Sequence, residues 1–219
     1  MAQLIRTAPL SLSSSFLSFL DEATSDAELE HSWVEMLSQL EYVGCRKMLR
    51  SLSWEDVDLK ILKHIQEEAQ HAYLLKLALG KKGMGSWGQN PLGELGWDYF
   101  SGLDESLTQL DTDEVPYALT SWAIEQRALA VYPAYLARTT NPDIRRAVRT
   151  VLAQEEHHAK FFGDESWPDG LITEILNIEK RHWEAFEMAI TRQLAARNNP
   201  SQTPYPSPIW EWKDIAATD

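Results

Sequence analysis

The sequence predicts an all-α protein on three observations. Apolar residues recur at three- and four-residue spacing over long stretches, few runs alternate in the manner of strands, and Gly and Pro gather between the periodic stretches. Residues 11–22 can form a short leading helix. Ser25 and Asp26 then offer N-cap side chains to a long period running to Ser51. A second long helix is expected from Ser53, whose Trp-Glu-Asp sequel places acids in a first turn, to Gly80 at its C-terminal boundary. Residues 80–96 hold six Gly and one Pro, and 97–112 can carry a short helix, so more than 30 residues separate the second long period from the third. Such a length suits a crossover rather than a hairpin. A third long helix is expected from Glu114-Val115-Pro116 to Thr139, and a fourth from the Asn141-Pro142-Asp143 turn to Phe162. A fifth covers 171–197, ahead of a tail over 198–219 with four Pro and the aromatic pair Trp210 and Trp212. Two helical hairpins joined by a long crossover describe a four-helix bundle over 27–163, covered by a C-terminal fifth helix, in a single domain of 1–219.

Composition narrows the functional classes. The 219 residues carry 20 Lys+Arg against 33 Asp+Glu, a net charge of −13 that repels phosphate backbones and anionic lipid, so nucleic acid and membrane are disfavoured as partners. With 44% hydrophobic residues and nine Trp, a packed core is expected. Cys45 is the one cysteine, which leaves no internal disulfide and no Cys-rich metal site. No run of about 18 apolar residues is present, and Leu10 to Leu20, with five Ser, makes a poor signal sequence. A soluble, cytoplasmic protein is the expectation.

The chemistry lies in a spacing. Glu68-Ala69-Gln70-His71 and Glu155-Glu156-His157-His158 each present Glu-x-x-His on one helix face, where a carboxylate and an imidazole can hold one divalent first-row metal. The faces separate candidate ligands from ordinary surface acids. Glu68 shares its stripe with Val57, Ile61, His64, His71, Ala72, Leu75 and Leu79, whereas Glu67 lies with Lys60, Lys63, Gln70 and Leu74 on what reads as a solvated face. Glu155 falls among Ile144, Val148, Val151, Leu152 and His158, and Glu156 among Arg145, Arg149 and Lys160. On the third helix, Glu125 stands among Ala118, Trp122, Ala128, Leu129, Tyr132 and Leu136, with no basic neighbour in the stripe. On the first, Glu41 is preferred to Glu35 because it lies with Val34, Leu37, Gly44, Cys45 and Met48, of which Gly44 and Cys45 are small enough to leave room for a carboxylate.

Four inward carboxylates need neutralising, because each unpaired buried charge costs several kcal/mol. Two divalent cations would balance Glu41, Glu68, Glu125 and Glu155, with His71 and His158 capping one ion each. His64, one turn before Glu68, is a candidate additional ligand, and Tyr132 a candidate hydrogen-bond partner at the site. Glu179 and His182 straddle the inner edge of the fifth helix, whose expected work is covering the bundle.

On these residues the chain resembles the ferritin-like di-iron carboxylate superfamily over about 27–163. The separations of Glu41, Glu68, Glu125 and Glu155, together with Glu125-x-x-Ala128-x-x-x-Tyr132-x-x-Tyr135, are most similar to the aldehyde-deformylating oxygenases. Glu155-Glu156-His157-His158 is similar to the tRNA-modifying di-iron hydroxylases, although the acidic charge disfavours a tRNA substrate. His64-x-x-x-Glu68-x-x-His71 resembles the extra-histidine pattern of di-iron arylamine N-oxygenases, displaced to the first motif helix. A single cysteine excludes a rubrerythrin. The resemblance implies two iron ions, alternatively manganese, with Glu68 and Glu155 bridging and Glu41 and Glu125 terminal. It further implies an oxidoreductase that activates dioxygen toward a small, largely apolar substrate and draws electrons from an external donor; a homodimer is compatible with it. The alternatives are iron or peroxide handling, as in ferritins and manganese catalases, and a non-catalytic helical interaction module.

Overall fold

A computed structural model describes residues 10–55, 57–87, 90–158 and 167–198. These residues form seven α-helices and one 3-10 turn, with no strand among them. In order they are α1 (Ser14–Ser25), α2 (Ala27–Ser51), α3 (Leu59–Ala78), α4 (Pro91–Thr108), α5 (Pro116–Leu136), α6 (Pro142–His158) and α7 (Asp169–Asn198). No helix among the described residues is long and apolar enough to cross a membrane.

Capping side chains set most of the boundaries. Ser13 Oγ accepts from the Phe16 amide at 3.0 Å and opens α1. Asp26 closes α1 and opens α2, its Oδ1 accepting from the amides of Glu28 (2.9 Å) and Leu29 (3.0 Å). The second long helix starts later than Ser53: Asp58 Oδ1 accepts from the Ile61 amide at 2.9 Å, and residues 53–55 are not helical. Trp54 is 95% exposed, so an extra turn there would have no core to bury its aromatic side chain. The crossover helix is also longer than 97–112 suggests. Asn90 caps it, Pro91 takes its first position, and three internal glycines do not break it. A Cβ on Gly96 would lie 2.9 Å from Met36 Cγ, so the missing side chain lets α4 press onto α2. The expected end of the fourth long helix at Phe162, the bundle limit at 163 and the tail beyond Asn198 lie outside the described residues.

α2 packs on α3, α5 on α6, and α3 on α6. The first pair runs antiparallel. Ser38 Oγ donates to Ala72 O (2.7 Å), and, farther along α2, Cys45 Sγ reaches Ile65 O (3.6 Å), farther back along α3. α4 lies against α2, α5 and α7, while α1 packs on α2 and α7. An aromatic cluster joins these layers, with Phe16 edge-on to Trp183 at 4.9 Å and Phe19 edge-on to Trp33 at 5.2 Å. Glu30, buried in α2, accepts from Tyr135 Oη (3.1 Å) and Thr139 Oγ1 (2.6 Å), which ties the start of α2 to the end of α5. α5 thus has neighbours on several sides, and Trp122 and Ala123 in its middle are fully buried. This is the helix that carries Glu125.

Candidate metal centre

α2, α3, α5 and α6 each bring one carboxylate to a common interior point, and α3 and α6 add three imidazoles. His71 Nδ1 lies 3.0 Å from Glu155 Oε1, 3.2 Å from Glu41 Oε2 and 3.9 Å from Glu68 Oε1. His158 Nδ1 lies 3.2 Å from Glu68 Oε1, 3.3 Å from Glu155 Oε2 and 3.8 Å from Glu125 Oε1. Glu68 and Glu155 therefore face both imidazoles, while Glu41 belongs to the His71 side and Glu125 to the His158 side. His64 joins the second side, with Nε2 3.4 Å from Glu68 Oε1 and 3.9 Å from Glu125 Oε1 and its ring 4.0 Å from that of His158. Two sets bring their donor atoms within 4.8 Å of one another: His64, Glu68, Glu125 and His158, and Glu68, His71, Glu155 and His158. Glu41 stands outside both sets and reaches the cluster through His71.

The donor set suits a divalent cation. Glu68 Oε1 is buried with three imidazole nitrogens within 3.9 Å, yet accepts no hydrogen bond of acceptable geometry. A Cβ on Gly44 would lie 2.8 Å from Glu68 Oε2, so the bare glycine makes the space this carboxylate occupies. Among the described residues no Lys or Arg forms an ion pair with Glu41, Glu68, Glu125 or Glu155. Protons do the balancing instead. Burial lowers the basicity of both imidazoles, but the carboxylates of Glu155 and Glu41 beside His71 lift it to about 11, and those of Glu155 and Glu68 beside His158 lift it to about 10. Burial and the negative charge of Glu155 push Glu125 well above the usual carboxylate range. Burial, with Glu155 beside it, raises Glu41 to about 7. Glu155 itself is opposed by burial but held low by hydrogen bonds with Glu125, His158 and His71. A bound cation would take over the work of these protons.

The outer nitrogens are held as firmly as the inner ones. His71 Nε2 contacts Gln154 Oε1 at 2.8 Å, Gln154 Nε2 donates to Glu67 Oε1 at 3.2 Å, and Glu67 Oε2 meets His158 Nε2 at 3.2 Å. This relay fixes both rings with Nδ1 inward. Glu67 corrects the reading of its face as solvated: it is 8% exposed, with Lys63 at 2.8 Å across the rim of the relay. The polar stripe of Lys60, Lys63 and Gln70 hid it, because the α3–α6 contact that covers it is a property of the folded chain. Glu156 is exposed, as its stripe predicts, and so is His157. Tyr132 Oη donates to Glu41 Oε1, and burial beside Glu41 keeps the phenol protonated.

Glu179 and His182 are elsewhere. Glu179, fully buried, accepts from Arg127 Nε and Nη2 at 2.7 Å each and from Tyr99 Oη at 2.9 Å. His182 Nε2 pairs with Ser106 Oγ at 2.9 Å. Both therefore hold α7 to the layers beneath it. Cys45, buried and raised in pKa by its burial, turns to a backbone carbonyl.

One face of the cluster opens on a cavity of about 100 Å3. Glu41, Glu68, Glu125, Glu155 and His64 form one wall, and the rest is largely apolar, including Met36, Leu40, Ile124, Val131, Trp183 and Phe186. Set against protein-family models, curated proteins and solved structures, the chain has no significant match.

Proposed function

We propose that the chain is a ferritin-like di-iron or di-manganese carboxylate protein, an oxidase or oxygenase that activates dioxygen toward a small, largely apolar substrate. One observation carries the reading: four carboxylates, three of them buried and Glu41 nearly so, converge with three imidazoles and, among the described residues, pair with no Lys or Arg, and the carboxylates and His64 face a largely apolar cavity. A lone buried acid is commonly paired or protonated, but four converging acids with imidazoles at ligand distance call for multivalent cations. Support for two ions comes from the division into a His71 side and a His158 side that share Glu68 and Glu155. Carboxylate oxygen and imidazole nitrogen suit iron and manganese. When bound, a reduced metal pair supplies electrons to dioxygen.

The residues would divide the remaining work. Glu68 and Glu155 would bridge, and Glu41 and Glu125 would each close one side. Tyr132 steadies Glu41 by its hydrogen bond, and the Gln154–Glu67 relay keeps both histidines turned inward. His64 would give the Glu125 side a second imidazole, so the two metal positions would differ in donor set. The apolar walls would exclude water and orient the substrate against the carboxylate face. Electrons would come from an external donor, since the sequence carries no flavin or nucleotide fingerprint.

Metal analysis of the chain expressed in iron- and manganese-replete medium tests this. The expected result is two ions per chain, lost in Glu68→Ala and Glu155→Ala variants whose helical circular dichroism is unchanged, with oxygen uptake when the iron form is reduced. Absence of stoichiometric metal would overturn the proposal in favour of a helical interaction module. Metal binding without oxygen uptake, in a large shell by light scattering, would favour iron storage, and rapid peroxide disproportionation by the manganese form would favour peroxide handling.

A further inference from the structure

The large apolar side chains left at the surface are not scattered. Of the ten exposed among the described residues, six fall between Trp54 and Met84, on α3 or just beside it. Leu59, Leu62, Tyr73 and Leu77 are each more than half exposed. At about 100° per residue these four lie within an arc of about 60°, and about 150° around the helix from Glu68. α3 therefore turns its candidate ligands inward, packs on α2 and α6, and keeps an apolar back that no described element covers. Gln66 and Ala69 are exposed in the same arc, so residues 59, 62, 66, 69 and 73 follow the three–four spacing of a helix-pairing seam. Single surface leucines need no explanation, but this stripe presents roughly 500 Å2, a size at which an apolar patch marks a contact surface.

The stripe also reads alike from both ends. Leu59 and Leu77 each stand nine residues from position 68, Leu62 and Tyr73 stand six and five, and Trp54 and Met84 stand fourteen and sixteen. A two-fold contact between identical chains needs this order, because residue i meets j and j meets i. Charge selects the same face. Both acids of α3, Glu67 and Glu68, are buried, and its exposed charges are Lys60 and Lys63. With a net charge of −13, two copies repel over most of their surfaces and approach at least cost where no acid is exposed.

We propose that the chain forms a two-fold dimer through the outer face of α3, packed antiparallel on α3 of a second copy, with Leu59 against the partner's Leu77 and Leu62 against the partner's Tyr73. The small Ala69, close to the axis, lets the two backbones approach. Pairing the stripes covers about 1,000 Å2, the size at which specific interfaces begin, so association belongs in the micromolar range. The carboxylate cluster lies on the opposite side of α3, and the dimer needs no metal.

Sedimentation velocity of the metal-free full-length chain over about 1 to 200 μM tests this. Monomer should give way to dimer across that range. L62E/Y73E, at exposed positions, should keep the circular dichroism and melting temperature of the parent monomer and weaken association about tenfold or more. Cross-linking reads the orientation separately: in a Cys45→Ser background, Leu59→Cys and Leu77→Cys chains joined by a short bis-maleimide should link when mixed and not when either is alone. A dimer that survives L62E/Y73E, or links as frequent within one cysteine variant as in the mixture, would overturn the inference. So would a chain that stays monomeric throughout, and a lower melting temperature of L62E/Y73E in that case would show the face covered by another segment of the same chain.

Discussion

Gly44 faces Glu68 across the α2–α3 contact, and a methyl group at this position would stand 2.8 Å from Glu68 Oε2. Ordinary contact begins at 3.4 Å, so in Gly44→Ala the carboxylate must withdraw by about 0.6 Å. Two effects of opposite sign follow. Alanine in the middle of a helix is favoured over glycine by about 0.8–1 kcal/mol, and the atom that must move is the end of a flexible side chain. The metal-free variant should therefore melt no lower than the parent, and as much as about 2–4 °C higher for a chain of this size. Metal–ligand distances, by contrast, tolerate only about 0.2 Å, and a displacement three times larger falls on a carboxylate that faces both imidazoles. Disturbing ligand orientation typically costs about 10–100-fold in affinity, and a loss in that range is expected here. Competition titration of Mn(II) or Co(II) against a chelator, paired with thermal melts with and without metal, reads both effects on one sample. A variant that gains stability yet binds metal like the parent would refute the assignment of Glu68 as a shared ligand.

Three further outcomes can be checked with the same preparations. Glu67→Ala removes no proposed ligand but breaks the link between Gln154 and His158, so metal affinity should fall about 10–100-fold with little change in metal-free stability; unchanged affinity would reduce Glu67 to a surface acid. With His71 raised to about 11 and His158 to about 10, both imidazoles are protonated at neutral pH in the metal-free chain, and metal must displace those protons. Uptake at pH 7 in weak buffer should acidify the solution, and apparent affinity should rise from pH 6 to 8; an indicator dye showing no proton release would contradict the inward placement of both rings. Arg127→Met strands the buried Glu179, so unfolding free energy by urea titration should drop by about 3–5 kcal/mol, with most of it restored in R127M/E179L. A drop in metal content without loss of stability would instead place Glu179 at the metals.

The helices were legible because burial is one-sided over most of the chain and several caps are spelled in it: Asp26 and Asn141 each accept from amides of the helix they open. The misplaced starts of α3 and α4 share one cause. Ser53 and Asp58 are both competent caps, and the choice between them depends on whether Trp54 finds a core, which local sequence does not state. α4 begins before Gly93 and Gly96, which read as loop, because Gly96 meets Met36, 60 residues back along the chain.

Within the site, a similar division separates what could be read from what could not. Glu68 and Glu155 stand on apolar stripes, and an acid there announces a partner or a proton. Glu67 sits one residue from Glu68, about 100° around the same helix, and its stripe of Lys60, Lys63 and Gln70 is what a solvated acid would have. What buries it is α6, where Gln154 and the outer nitrogen of His158 arrive together. Adjacent glutamates can thus hold the inner and the outer side of one ring, Glu68 meeting His158 through Nδ1 and Glu67 meeting it through Nε2. The same logic explains Arg127. It is two residues from Glu125 and points away from the cluster, toward α7, where the acid stranded on an apolar stripe is Glu179. Periodicity identifies which buried charge lacks a partner on its own helix; only packing of one helix against another decides whether that partner is a proton, a guanidinium or a metal.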